Sequence, residues 1–229
     1  MGATGILGGT FNPVHNGHVR HAIEVAEALG LERVLLMPCS TPPHKERAGL
    51  LPFDLRVGLL RAAVKNISFL GVETLEGELE GPSYTWRTLR EWARRHEGEG
   101  LPFFMMGAES FAALDTWKHG LELPHFAHLV MVPRNGDDGS VFHESIRSFW
   151  PGSIPPDCDV PLGRETVELA GGGRCTFLPV PRLDISSTFI RARWRSGRSL
   201  AGLMPEDELD VLAAHASEVS ACWAAARVR

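Results

Sequence analysis

The sequence predicts an α/β protein: a single doubly wound parallel sheet with helices on both faces. Short apolar runs alternate with segments of helical periodicity along most of the chain. Those runs are apolar throughout, as strands buried on both faces of a parallel sheet must be. The first of them ends in a glycine-rich turn that opens directly into a helix. Right-handed crossovers would carry each strand to the next.

Taken in order, Gly5-Ile6-Leu7 reads as the first strand. Val19, Ala22, Ile23, Ala26 and Leu29 then recur at the spacing of one helix face. Arg33 to Pro38 is a second buried strand, and it ends in Cys39-Ser40-Thr41-Pro42-Pro43-His44-Lys45, a loop stiffened by two prolines. Phe53 to Asn66 is amphipathic, with Leu55, Leu59, Leu60 and Ala63 inward and Arg56 and Arg61 on the solvated face. Ser68 to Glu73 is a short strand. Ser83 is an N-cap type and starts a helix at Tyr84-Thr85-Trp86-Arg87. Leu101 to Met106 and Ala127 to Pro133 are further buried strands, the former running into Gly107-Ala108-Glu109-Ser110. Residues 135–173 are rich in Gly and Pro and read as a surface insertion. Thr176 to Pro181 is the last strand. A helix follows from Ile185 to about Ser196, and Glu206 to about Arg227 forms a final amphipathic helix over the sheet. One domain therefore spans residues 1–229, with its insertion at about 135–173 and a C-terminal helical part from about 186.

Composition excludes several classes. A chain of 229 residues, 44% hydrophobic and 22% charged, buries a core of ordinary size. Its net charge of −5 provides no basic field for nucleic acid, so any anion site is local. The four cysteines form no C-x-x-C pair, against both a disulfide framework and a zinc knuckle. No apolar run approaches the roughly 18 residues that span a bilayer. No secretory signal is visible at the start. The expectation is a cytoplasmic protein acting on small molecules, without nucleic acid or membrane, and compatible with a homo-oligomer.

The chemistry concentrates in Gly8-Gly9-Thr10-Phe11-Asn12-Pro13-Val14-His15-Asn16-Gly17-His18. Gly8 and Gly9 permit close ligand approach, and Pro13 keeps the stretch out of a sheet ladder. The helix that follows presents unpaired N–H groups and the positive end of its dipole, which favour an anion such as phosphate. His15 and His18, three residues apart, share one side of its first turn. The dinucleotide pattern G-x-G-x-x-G is absent, so a plain dehydrogenase has no support here. A zinc site from His15, His18 and His21 is possible on paper, but no Cys pair or H-E-x-x-H accompanies it. Lys45 adds a mobile point charge suited to phosphate. Ser186, Ser187 and Thr188 offer an N-cap and hydroxyls, with Arg191 one turn further.

His15-Asn16-Gly17-His18 resembles the H-x-G-H box of the nucleotidyltransferase superfamily, and Gly-Gly-Thr-Phe-Asn-Pro-Val before it resembles that superfamily's adenylyltransferase branch. Ile185-Ser186-Ser187-Thr188-Phe189-Ile190-Arg191 is similar to its second signature, I-S-S-T-x-I-R. Pro38 to Lys45 resembles a P-x-x-x-P-P-H-K segment. Ser83-Tyr84-Thr85 resembles the S-Y-T start found in nicotinate-mononucleotide adenylyltransferases. The resemblance implies a Rossmann-like fold and transfer of AMP from ATP to nicotinate mononucleotide, giving deamido-NAD and pyrophosphate. The close alternative acceptor is nicotinamide mononucleotide, and a nucleotide-sensing module without catalysis is the reading from another class.

The resemblance also implies roles. His15, His18, Lys45 and Arg191 would act on the phosphates at the reacting centre. Gly8, Gly9, Thr10, Phe11, Gly107, Glu109, Ser186, Ser187 and Thr188 would hold ATP. Ser40, Lys45, Tyr84, Thr85 and Trp117 would hold the mononucleotide, with Trp117 stacked on the pyridine ring. Glu109 stands where relatives carry Asp, and Arg87 where they are often acidic or amide-bearing. Mg²⁺ is expected to arrive on the ATP phosphates, without a protein carboxylate cage.

Overall fold

The computed structural model describes residues 2–42, 48–133, 138–155, 159, 163–181 and 183–224. Along the chain run β1 (Thr4–Gly9), α1 (Asn16–Leu29), β2 (Arg33–Pro38), α2 (Phe53–Val64), β3 (Leu70–Val72) and α3 (Leu75–Glu78). Next come α4 (Thr85–Arg95), β4 (Phe103–Gly107), α5 (Ala108–Ala112), two 3₁₀ turns (Leu114–Thr116 and Gly120–His125) and β5 (His128–Val132). The remainder holds α6 (Ser140–Phe149), β6 (Glu165–Glu168), β7 (Arg174–Phe177), α7 (Ser187–Arg195), α8 (Glu206–Ala214) and α9 (Ala216–Ala224).

The strands hydrogen-bond in the order β3-β2-β1-β4-β5-β7-β6, the doubly wound order that the alternation of elements predicts. Strand order reverses between β1 and β4, where Gly5 to Leu7 register in parallel with Phe103 to Met105. Sheets of this kind bind ligands beyond the carboxyl ends of the strands at that reversal. Gly8 of β1 and Gly107 of β4 lie at such ends. Among the described strand pairings, β6 departs from the parallel arrangement, running antiparallel to β7 with Glu165 opposite Phe177. It lies inside the expected insertion and is joined to β7 by a glycine turn, a short link that only an antiparallel pair can use.

Two compact units organise the chain. The first comprises residues 1–8, 24–33 and 84–182. Its β5 is His-Leu-Val-Met-Val with four of five residues buried, as a central parallel strand requires. Phe111, Phe142 and Phe177 pack ring on ring beside it, with centroids 5.5 and 5.8 Å apart. The second comprises residues 9–23, 34–83 and 183–229. Here α2 packs on α8. Trp223 of α9 is fully buried edge-on to Trp194 of α7, their centroids 5.8 Å apart.

Local chemistry moves several boundaries. Tyr84, not Ser83, is the N-cap of α4, because the Ser83 hydroxyl instead accepts from the Thr41 N–H at 3.0 Å. The final helix is two helices, broken at His215 (φ −110°), whose N–H turns back to the carbonyls at the end of α8. The last expected strand, Thr176 to Pro181, starts two residues earlier and ends four earlier, at Arg174–Phe177. Arg56 is not on the solvated face: it is 1% exposed.

Candidate active site

The histidine loop is held in a conformation its residues would not adopt alone. Phe11 has φ +46°, a left-handed backbone that costs a non-glycine residue energy and persists only when surroundings impose it. Those surroundings are polar contacts. The Asn12 amide donates to the Gly49 carbonyl at 2.7 Å and accepts from the Leu51 N–H at 3.1 Å. The Phe11 ring is 2% exposed and meets His18 edge-on at 5.0 Å.

The chain enters α1 at His15, whose carbonyl accepts from the His18 and Val19 N–H groups. The imidazoles of His15 and His18 stack with centroids 3.7 Å apart. A Cβ on Gly17 would come within 3.0 Å of both His15 Nδ1 and the Leu183 carbonyl oxygen, so the close approach needs glycine. Burial lowers the His15 pKa to about 4, so its ring is neutral at physiological pH. Its Nδ1 is buried without a hydrogen-bond partner among the described residues.

The second signature closes on this loop from 170 residues away. Ser186 caps α7, its hydroxyl accepting from the Phe189 N–H at 3.2 Å. The Ser187 hydroxyl donates to the Pro13 carbonyl at 2.8 Å. Arg191 donates through Nη1 to the Asn12 carbonyl at 2.7 Å and through Nη2 to Thr188 Oγ1 at 3.1 Å. Loop carbonyls, which would repel an anion, are thereby taken up by the protein's own donors. Burial pulls the Arg191 guanidinium below its usual pKa, yet it stays a cation at neutral pH. Of its five N–H donors these contacts use two, leaving others for anionic oxygens.

The second unit thus brings together Gly9, Thr10, Phe11, His15, His18, Ser40, Ser186, Ser187, Thr188 and Arg191. Lys45 lies outside the described residues. Gly8, Tyr84, Thr85, Gly107, Glu109 and Trp117 belong to the first unit. There Tyr84 caps α4, Thr85 opens it, and the Lys118 ammonium lies 4.9 Å over the Tyr84 ring. Trp117 is half-buried in a tight turn: its N–H donates to the Leu114 carbonyl and its own carbonyl accepts from Gly120. A Cβ on Gly120 would strike the Leu114 carbonyl oxygen, so this turn too depends on glycine. Glu109 is exposed in the first turn of α5.

The donor set is imidazole, guanidinium, hydroxyl and amide. That set suits phosphate oxygens. Among the described residues no group of three or more His, Cys, Asp and Glu is placed to hold a metal ion.

Comparison with known proteins agrees with this geometry. The cytidylyltransferase-like family model matches residues 6–193. A curated relative from Desulfatibacillum aliphaticivorans is 38% identical over 206 residues, 88% of this chain and 93% of that protein. Another from Maridesulfovibrio salexigens is 32% identical over 219 residues, 96% of this chain and 98% of that protein. Both are named probable nicotinate-nucleotide adenylyltransferase. The chain belongs to the nicotinate-nucleotide adenylyltransferase family. A solved structure of Plasmodium falciparum nicotinic acid mononucleotide adenylyltransferase, complexed with NaAD, aligns with a TM-score of 0.70. It covers 95% of this chain and 98% of that one at 15% identity, a likeness of fold.

Two arginines of this adenylyltransferase chain stand out. Arg87, where relatives are often acidic or amide-bearing, has its Nε buried without a hydrogen-bond partner among the described residues. Arg56 was placed outside any site, yet it donates to four carbonyls, among them Thr10 and Ser40 of the predicted nucleotide-binding set. The signal was available: Arg56 precedes Leu59, Leu60 and Ala63 by three, four and seven residues, which puts it on the buried stripe of α2.

Proposed function

We infer that the chain transfers the adenylyl group of ATP to nicotinate mononucleotide, releasing pyrophosphate and forming deamido-NAD. The observation that carries this is the joining of the two signatures: Arg191 and Ser187 hydrogen-bond to the carbonyls of Asn12 and Pro13 beside the stacked histidines. The family membership supports the same reaction.

An acceptor phosphate oxygen attacks the α-phosphorus, the bond to the bridging oxygen breaks, and pyrophosphate departs in line. No protein nucleophile is needed, so the protein's work is positioning and charge stabilisation. His15, neutral, and His18 donate hydrogen bonds to phosphate oxygens as charge moves onto the leaving group. Arg191 and the start of α7 take the outer phosphates. The expected phosphate contact of Lys45 belongs to this same reading. The Ser187 hydrogen, already given to Pro13, makes Ser187 a support of the loop more than a phosphate donor. Mg²⁺ would arrive with the triphosphate and would offset part of its charge, while Arg191 and the histidines act on the same phosphates.

For the acceptor, Trp117 offers a flat aromatic face to the pyridine ring, and Thr85 opens a helix whose first amides have no acceptor within it. Among the described residues no helix is long and apolar enough to cross a membrane. We place the enzyme in the cytoplasm, where ATP and mononucleotides are found.

Incubation with ATP, Mg²⁺ and each mononucleotide, with pyrophosphate and dinucleotide both quantified, tests this. Dinucleotide formed from nicotinate mononucleotide is expected. ATP binding without any product would replace the reading with that of a sensing module.

A further inference from the structure

One guanidinium in the second unit is almost wholly buried and bonded to carbonyls throughout. Arg56 Nε donates to the Leu51 carbonyl at 3.0 Å. Its Nη1 donates to the Thr10 carbonyl at 2.8 Å and to the Cys39 carbonyl at 2.7 Å, and Nη2 reaches the Ser40 carbonyl at 3.4 Å. These carbonyls come from the glycine-rich loop, the loop that follows β2, and Leu51, two residues before α2. A side chain whose only task was to fill the core would be apolar, since burying a charge is costly unless it is fully engaged.

We propose that Arg56 is a positioning residue for adenylyl transfer, fixing the glycine-rich loop and the loop after β2 by holding the carbonyls of both on its guanidinium and away from phosphate. The proposal rests on the reaction inferred above. A trans peptide points its C=O and N–H in opposite directions. Holding the Thr10 carbonyl on Arg56 therefore turns the Phe11 N–H the other way, in the stretch that leads to His15. After β2 two successive peptides are gripped on both sides. Arg56 takes the Cys39 carbonyl while Glu76 accepts from the Ser40 N–H at 3.2 Å. Arg56 then takes the Ser40 carbonyl while Ser83 Oγ accepts from the Thr41 N–H. A lysine could not reproduce this, because a single ammonium has three donors at one point and no planar fork.

The test compares the wild type with Arg56→Lys and Glu76→Ala by circular-dichroism melting, steady-state kinetics and calorimetric titration with MgATP. Arg56→Lys is expected to fold, to lose about a hundredfold in kcat as misplaced reacting groups do, and to hold KM for the mononucleotide within threefold. A merely structural role would lower Tm and leave kcat of the folded protein alone. A kcat within threefold of wild type, below the melting transition, overturns the proposal. If Arg56→Lys does not fold, Glu76→Ala decides: about a tenfold drop in kcat is expected, and an unchanged kcat overturns it. If the wild type turns over no acceptor, the reaction assignment fails by itself. The titration then decides the clamp: about tenfold weaker MgATP binding by Arg56→Lys is expected, and unchanged binding overturns it. Where Arg56→Lys also fails to fold, Glu76→Ala supplies the same titration, with the same two outcomes.

Discussion

His15 lies nearly face to face with His18, the ring centroids 3.7 Å apart and the planes 28° from parallel. Burial keeps the His15 ring neutral at physiological pH, and His18 is the less buried of the two.

His18→Ala should leave the fold intact and reduce kcat about a hundredfold, or roughly 3 kcal/mol of barrier, the typical cost of removing one donor to developing charge. Single-turnover measurement with saturating ATP checks this. Turnover within threefold of wild type would remove His18 from the chemistry.

Stability should depend on pH through His15. Its folded pKa, about 4, is below the unfolded value of about 6.5. Between those values the unfolded chain binds a proton that the folded chain refuses. The contribution is therefore constant above about pH 6.5 and is lost progressively as pH falls toward 4. Going from pH 7.5 to 5 should destabilise the wild type by about 2 kcal/mol more than His15→Gln. Urea unfolding of both proteins at both pH values measures the difference, and parallel losses would contradict it.

Glu208 gives a dependence of opposite sign. It is fully buried in the first turn of α8, neither carboxyl oxygen has a hydrogen-bond partner among the described residues, and burial raises its pKa well above the usual range. The folded state holds this proton after the unfolded chain has released it near pH 4.5. Stability from this group accordingly falls as pH rises above that point, by up to about 1.4 kcal/mol per pH unit. Glu208→Gln should be the more stable protein at pH 8, with the gap narrowing toward pH 5. Melting curves that stay equally spaced from pH 5 to 8 would count against a protonated Glu208.

Acceptor choice should follow hydrogen-bond chemistry. A carboxylate only accepts, whereas an amide must also donate two bonds. Thr85 and the first amides of α4 present donors, so the nicotinamide amide would be left with an unpaired N–H₂ at a cost of roughly 1–3 kcal/mol. kcat/KM for nicotinate mononucleotide should exceed that for nicotinamide mononucleotide by about tenfold or more. Trp117→Ala should weaken both acceptors alike, because stacking does not distinguish the two rings. Equal efficiencies in a side-by-side assay would show that no donor-lined pocket exists.

What the sequence determined by itself was local in origin. Strand and helix identity follow from periodicity, and Gly8 to His18 reads as turn plus helix start because glycine, proline and histidine act within a few residues of one another. The I-S-S-T-x-I-R helix start was legible for the same reason, since Ser186 caps it from its own chain. Only tertiary structure decided that Arg191 would reach Asn12 and Ser187 would reach Pro13, contacts across more than 170 residues that no local period encodes. It also decided that β6 would pair antiparallel, that Ser83 would hold Thr41 and leave the N-cap of α4 to Tyr84, and that Glu208 would be buried. Arg56 lies between the two cases. Its spacing marks the buried stripe, while its charge suggests solvent, and the carbonyls that reconcile them come from loops whose proximity only the fold creates.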